Sequence, residues 1–360
     1  MSQTIEVAGS AEAREKLDAH MREIIKWHFS DETGCDFWLN WKKEAGWDPV
    51  AEVKTFDDIN KFPHFQDEWL RDVTNEMWVP KQYKGKPFKI FETGGTTGVP
   101  KQRIAWEDHL HDYSEFSDTL PDEYFPKGGN WLMVGPTGPR RLRLAIEHLA
   151  NVRGGSCYFV DMDPRFVKKL IRDGHYDMAN QYKHHVVEQA LAILKNRPIS
   201  CLFTTPKILE AMGERTDVVR YGIKGVFCGG TSMTPQMVRF LQEEVLENKG
   251  LLVPTYGNTL MGLACSEPLS AEKDYEVIYH APQPRAVLRI VDPDKTENVM
   301  DYGEWGRVEL TTFTKEIFVP RFLERDEAYR CPPTERWPWD GVAGVRPFGA
   351  SKTKIVEGVY

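Results

Sequence analysis

Thr93-Gly94-Gly95-Thr96-Thr97-Gly98-Val99-Pro100-Lys101 brings three glycines, two adjacent threonine hydroxyls and one lysine into nine positions. Glycine reaches positive φ at little cost, so successive backbone N–H groups can turn inward around phosphate oxygens. Thr96 and Thr97 add hydroxyl donors, and Lys101 adds a mobile positive charge. Such a loop suits a polyphosphate, and ATP is the expected ligand. It is not a Walker A loop: Gly98 is followed by Val99 and Pro100 instead of a Gly-Lys pair, and no Ser or Thr follows Lys101. A kinase-like or P-loop NTPase is therefore disfavoured. The plain alternative is a glycine-rich turn between two strands. Position favours binding, because the apolar-alternating stretch Pro87-Phe88-Lys89-Ile90-Phe91-Glu92 reads as a strand and Ile104-Ala105-Trp106 follows, so the loop sits at a strand end.

Working outward, strands and helices alternate from Phe91 onward. Apolar runs predict strands at Trp131 to Val134, Ser156 to Val160, Cys201 to Thr204 and Gly225 to Cys228. Between them, helices are expected over Arg143 to Val152, His184 to Lys195, Pro206 to Gly213 and Pro235 to Glu247, the last capped by Thr234 with a proline in its first turn. This βαβ rhythm predicts an α/β fold with a parallel sheet wrapped by helices. Before it, residues 1–90 read as a helical region rich in aromatics, with amphipathic spacing over Glu12 to Phe29. Residues 91–260 form the core. From 261 to 360 the pattern changes to strands and turns (Tyr275 to Ile278, Ala286 to Val291, Arg307 to Thr312), a smaller β-rich subdomain.

Composition narrows the function. A chain of 360 residues with 41% hydrophobic and 28% charged content is that of a soluble globular protein, and a net charge of −8 argues against nucleic acid, which requires a basic patch. The partners expected are small molecules or proteins, a second copy of the chain in a homodimer among them. The first twenty residues have no signal pattern and no apolar run approaches the roughly 18 residues that span a bilayer, so no membrane association and a cytoplasmic location are expected. Cys35, Cys157, Cys201, Cys228, Cys265 and Cys331 contain no C-x-x-C pair, which suggests neither structural zinc nor a disulfide framework.

The loop TGGTTGVPK resembles the phosphate loop of the adenylate-forming superfamily of acyl-CoA synthetases, aryl-CoA ligases and luciferases, with the phenylacetate-CoA ligases as the nearest subgroup. Gly229-Gly230-Thr231-Ser232, after Gly225-Val226-Phe227-Cys228, is similar to that family's adenine-site strand and turn. Tyr256-Gly257-Asn258-Thr259 resembles its Tyr-Gly-x-Thr segment, and Tyr302 to Glu316, continuing through Pro320-Arg321-Phe322 to Asp326, resembles the stretch leading to a ribose-binding Asp. The resemblance implies that Thr93, Gly94, Gly95, Thr96, Thr97, Gly98 and Lys101 hold the triphosphate. Gly229, Gly230, Thr231, Gly257 and Asn258 would line the nucleotide, Tyr256 would stack on adenine, Thr259 would donate to the α-phosphate and Asp326 would accept from the ribose. Thr97, Lys101 and Thr259 would be catalytic. Taken alone, Tyr256 reads equally as a core aromatic, and an Asp within Glu324-Arg325-Asp326-Glu327 reads as solvated.

The chain also departs from the family. The Glu that helps hold Mg²⁺ after Tyr-Gly-x-Thr is replaced by Leu260, so Mg²⁺ is expected to be held by the triphosphate itself or by Glu267. The chain stops at Tyr360, about where the family's mobile C-terminal domain begins, so that domain is expected to be absent and only the first half-reaction is expected. On the acid side, relatives line an aromatic pocket with the stretch after the Trp131 strand, here Gly135-Pro136-Thr137-Gly138-Pro139-Arg140-Arg141-Leu142-Arg143. Glycine and proline leave a flat slot, and Arg140, Arg141 and Arg143 would pair a second carboxylate or else form a solvated helix start. The expected activity is ATP-dependent conversion of an aromatic, planar and dicarboxylic or phenazine-type acid to its acyl adenylate. A downstream reductase or acyltransferase would take the product in a biosynthetic route similar to griseoluteic-acid-type phenazine antibiotics. The alternative is a non-catalytic nucleotide- or acyl-binding protein that kept the fold.

Overall fold

The computed structural model describes residues 4–93, 99–138, 141–230 and 232–349. The helices are α1 (Ser10–Phe29), α2 (Asp36–Ala45), the single turns α3 (Pro49–Glu52) and α4 (Trp69–Asp72), α5 (Asp108–Thr119), α6 (Arg141–Val152), α7 (Pro164–Arg172), α8 (Tyr176–Asn196), α9 (Pro206–Gly213) and α10 (Pro235–Phe240). A two-stranded hairpin, β1 (Lys89–Glu92) with β2 (Gln102–Ala105), stands apart from the main sheet. The segments on either side of the glycine-rich loop thus pair antiparallel, with Glu92 facing Gln102.

The main sheet combines β3 (Trp131–Gly135), β4 (Cys157–Asp161), β5 (Cys201–Thr204), β6 (Gly225–Cys228), β7 (Leu251–Asn258), β8 (Gly262–Ser266), β9 (Ile278–His280), β10 (Ala286–Val291), β11 (Trp305–Phe313), β12 (Phe318–Cys331) and β13 (Gly341–Pro347). Its order is β10-β11-β12-β13-β9-β8-β7-β6-β5-β3-β4. Strands β4, β3, β5, β6 and the first half of β7 are parallel; the rest are antiparallel.

The parallel strands are covered on both faces, which is why they are nearly continuous runs of apolar residues. Side chains alternate between the faces. Leu132, Val134, Leu202 and Val226 pack with Val186, Val187 and Ala190 of α8, while Trp131, Met133, Phe203 and Phe227 pack with Tyr113 and Phe116 of α5 and Ala145, Ile146 and Leu149 of α6. Helix starts follow their caps: Asp163 accepts from the Arg165 and Phe166 amides before α7, and Thr234 from Met237 before α10, each with proline in the first turn. The helix expected to run on to Glu247 widens instead into a π turn over Leu241–Val245, where buried Gln242 bonds the Gly250 carbonyl (2.8 Å) and the Leu252 amide (2.9 Å).

Residues 261–347 do not form a separate sheet; they extend the parallel one through β7. The N-terminal helices are fastened to the β11–β12 turn by an aromatic cluster of Phe29, Trp38, Phe62 and Phe318, by Trp38 Nε1 donating to the Phe318 carbonyl (3.2 Å), and by His28 Nε2 on the Thr314 carbonyl (2.8 Å). Among the described residues, no helix is long and apolar enough to cross a membrane.

Candidate nucleotide and acid site

Strand β7 changes partner type within its length. Leu251 to Pro254 pair in parallel with β6, and Thr255 to Asn258 pair antiparallel with β8, so Tyr256 lies where the sheet switches sense. Tyr256 therefore lies just beyond the carboxyl ends of β6 and of the parallel half of β7, the side on which open α/β sheets bind ligands. Gly229 and Gly230 end β6 beside this point. The Thr255 hydroxyl donates to the Cys228 carbonyl (2.9 Å), a Cβ on Gly229 would come 2.9 Å from that hydroxyl, and Gly230 has φ of 94°. Gly257 is fixed by close approach: a Cβ there would lie 2.4 Å from the Gly262 carbonyl oxygen.

Asp326 comes to Tyr256 from the far part of the sheet. Three strands separate β12 from β7 in the sheet order, yet the Tyr256 hydroxyl donates to Asp326 Oδ2 at 2.8 Å and Asn258 Nδ2 to Glu324 Oε1 at 2.6 Å. The antiparallel half therefore curls until β12 faces β7. Burial raises the Tyr256 phenol well above its ordinary value and also raises the Asp326 carboxyl. Burial pushes Glu324 up to about 7, although Lys101 pulls in the other direction.

The base of the hairpin closes the other side. The Lys101 amide donates to Thr93 Oγ1 and the Thr93 amide to the Lys101 carbonyl, each at 3.0 Å. Instead of moving freely in solvent, Lys101 is only 4% exposed, its ammonium is 2.9 Å from Asp67 Oδ1, and it lies over the Phe322 ring at 4.4 Å. Arg71 braces the same corner, donating to Asp67 (2.8 Å) and to the Val99 carbonyl (2.9 Å). Thr259 Oγ1 reaches the Glu92 carbonyl at 3.4 Å, so the segment after Tyr256 meets the hairpin base. Gly94, Gly95, Thr96, Thr97, Gly98, Arg140 and Thr231, all singled out in the sequence, lie outside the described residues.

On the acid side, Gly135 ends β3 against Phe203, with Pro136 next to it; a Cβ on Gly135 would be 3.1 Å from that ring. The two described arginines of the cluster part company. Arg143 is half-exposed, 3.3 Å from Glu147 and over the Phe159 ring. Arg141 is buried, with Nη2 donating to Asp112 Oδ2 at 2.5 Å, so it does not belong to a solvated helix start. Glu267 lies at the end of β8 away from the Gly262 turn and is paired with His280 (3.0 Å) and Lys273 (3.4 Å). No cluster of three or more His, Cys, Asp or Glu suited to a metal occurs among the described residues.

Sequence reading missed the residues that hold this site from behind. Arg103, 1% exposed, donates through Nη1 to the carbonyls of Thr259 (3.0 Å) and Leu260 (2.6 Å) and through Nη2 to Asp108. Asp108 also accepts from the Thr314 hydroxyl (2.7 Å), and Glu316 accepts the amides of Trp106 (2.9 Å), Glu107 and Asp108 (3.0 Å). An arginine beside Ile104 and Ala105 on the strand that follows the loop was the available signal.

No family model matches the chain, and no curated protein matches it. Solved structures do. A 2-hydroxyisobutyryl-CoA ligase in complex with 2-HIB-AMP and CoA, in the thioesterification state, superposes with a TM-score of 0.64 at 14% identity, covering 92% of this chain and 66% of that one. An open conformation of the same ligase, also with 2-HIB-AMP and CoA, gives a TM-score of 0.65 at 13% identity, covering 94% of this chain and 75% of that one. At this identity the likeness establishes a shared fold, and the chain spans just under two thirds to three quarters of the ligase's length.

Proposed function

We propose that this chain uses ATP to activate a carboxylic acid as its acyl adenylate. The observation that carries the reading is the meeting of four segments distant in sequence at the sense switch of the sheet: the hairpin base at Thr93 and Lys101, the Gly229-Gly230 turn, Tyr256 to Thr259, and Asp326. Attack of a carboxylate on the α-phosphate requires chiefly positioning and neutralised charge. Thr259 would steady the α-phosphate, Tyr256 the adenine and Asp326 the ribose. Lys101 has three N–H donors, of which Asp67 takes one, and the phosphates would meet the others. Mg²⁺ would enter with ATP, carried mainly by phosphate oxygens, as this ion commonly is. The ligase of shared fold holds an acyl adenylate and CoA, which supports the same chemical class here. The sequence resemblance narrows the acid to an aromatic one, of phenylacetate or phenazine type, and a reductase or acyltransferase would consume the adenylate.

A second reading, a nucleotide-binding protein without catalysis, draws on Leu260, which is buried apolar where the resemblance calls for a metal-binding Glu. Exchange of labelled pyrophosphate into ATP, with and without aromatic acids, separates the two. Acid-dependent exchange is the expected result. Intact ATP binding by calorimetry with no exchange for any acid would establish the second reading. Added coenzyme A tests whether the adenylate goes on to a thioester.

A further inference from the structure

Strand β4 runs parallel to β3 and ends at Asp161, and the chain then enters α7 on the same edge of the sheet as the Gly229-Gly230 turn. Asp163 caps this helix by accepting the amides of Arg165 (2.9 Å) and Phe166 (3.2 Å), so the Arg165 side chain leaves from fixed backbone. Its Nη2 donates to Glu92 Oε2 at 2.9 Å and to the Thr93 carbonyl at 3.1 Å, which puts the guanidinium on the first residue of the glycine-rich loop. Among the described residues Nε and Nη1 meet no acceptor, and the side chain is 44% exposed. An ion pair this open contributes little to folding.

Lys168 follows one turn later on the same side of α7, while Val167, Leu170 and Ile171 pack with Ala179 and Tyr182 of α8. Burial, and then the charge of Arg325, hold the Lys168 ammonium below its ordinary value. Arg325 stands on β12 between Glu324 and Asp326, so α7 touches the loop through Arg165 and nears the Asp326 strand through Lys168. Like charges brought together against their repulsion are an arrangement that a polyanion relieves. Lys101 alone supplies too little charge for a triphosphate, since its ammonium is already paired with Asp67.

We infer that α7 forms a second wall of the triphosphate site, where Arg165 exchanges Glu92 for oxygens of the β- and γ-phosphates and Lys168 assists it. This rests on the ATP-dependent reading. In the transfer, a carboxylate oxygen bonds to the α-phosphorus as the bond to the oxygen bridging the β-phosphate breaks, and the electron pair leaves with pyrophosphate. Arg165 and Lys168 stabilise that leaving group.

Calorimetry with Mg-ATP, AMP and inorganic pyrophosphate tests the wall, with urea unfolding as the check that each variant is folded. Arg165→Ala should weaken ATP and pyrophosphate about 10-fold or more, the worth of one charged hydrogen bond, and leave AMP unchanged. Lys168→Ala should act in the same direction, and Arg165→Lys should recover part of the loss. Glu92→Gln removes the carboxylate that competes for Arg165 and should tighten ATP and pyrophosphate by about threefold, the order of an exposed ion pair. Equal losses for ATP and AMP in folded Arg165→Ala, unchanged ATP affinity in that variant, or weaker ATP binding in Glu92→Gln overturns the inference. Pyrophosphate exchange is followed in parallel. Selective loss of ATP and pyrophosphate binding, with no acid-dependent exchange in the parent, keeps the wall and sinks the adenylation reading; exchange in the parent with unaltered KM for ATP and pyrophosphate in Arg165→Ala does the reverse.

Discussion

Replacing Arg103 by Met removes the cation that ties the Thr259–Leu260 turn to α5, while keeping similar bulk. The guanidinium has essentially no contact with water and serves the two turn carbonyls and Asp108. Its loss leaves Asp108 buried with only the Thr314 hydroxyl, close to Glu316, whose own carboxyl is already raised by burial and by Asp108. Removing one partner of a buried pair costs about 3–5 kcal/mol, because the remaining charge is uncompensated, and the two orphaned carbonyls add about 1 kcal/mol between them after relaxation. A total near 5 kcal/mol, with a urea m-value of about 3 kcal/mol/M, lowers the unfolding midpoint by roughly 1.7 M. The loss should be smaller in acid than above neutrality, since an unpaired buried carboxylate protonates and sheds its penalty. Where the variant is still folded, ATP binding should also weaken, because Thr259 is no longer held. Arg103→Lys, which keeps charge but not the fork, should fall between. A stability loss below about 1 kcal/mol together with unchanged ATP affinity would refute the claim that this pair braces the site.

Three further outcomes are expected. Gly262→Ala combines φ of 101° with a Cβ placed 2.3 Å from Asp112 Oδ2, so it should destabilise by about 2–4 kcal/mol in urea unfolding, and a change within experimental scatter would show that Asp112 can move aside. Glu324 is raised by burial from 4.5 to about 7, so the folded chain binds more protons than the unfolded one across that window, and its contribution to stability falls as pH rises through it. The stability of Glu324→Gln relative to the parent should therefore improve by on the order of 2 kcal/mol between about pH 5 and about pH 8, and a pH-independent difference would mean that the carboxylate is not held neutral. Asp326→Ala should weaken ATP binding about 10-fold or more by calorimetry, whereas Tyr256→Phe, which keeps the ring, should cost less; equal losses would count against a ribose contact at Asp326.

How much of this could be read along the chain depended on the range of the interaction. Trp131 to Val134, Cys201 to Thr204 and Gly225 to Cys228 announced themselves because strands covered on both faces must be apolar at every position. The glycines at 229, 230 and 257 were conspicuous because backbone crowding or positive φ admits little else. Asp326 was different: within Glu324-Arg325-Asp326-Glu327 its surroundings look like a solvated face, and only a resemblance singled it out. The curl that lays β12 against β7 brings Asp326 to Tyr256 and Glu324 to Asn258, and no local period encodes a contact between residues 256 and 326. The arginines divide in the same way. Arg141 and Arg143 are two positions apart and alike in sequence, but α6 directs one at Asp112 in the interior and the other at Glu147 near solvent. Residue type and spacing determined which strands are buried and marked the Thr93 to Lys101 loop as a candidate for phosphate. The folded chain alone decided which charges meet, because pairing energies depend on burial and distance, and these are set by elements that can lie tens to hundreds of residues apart.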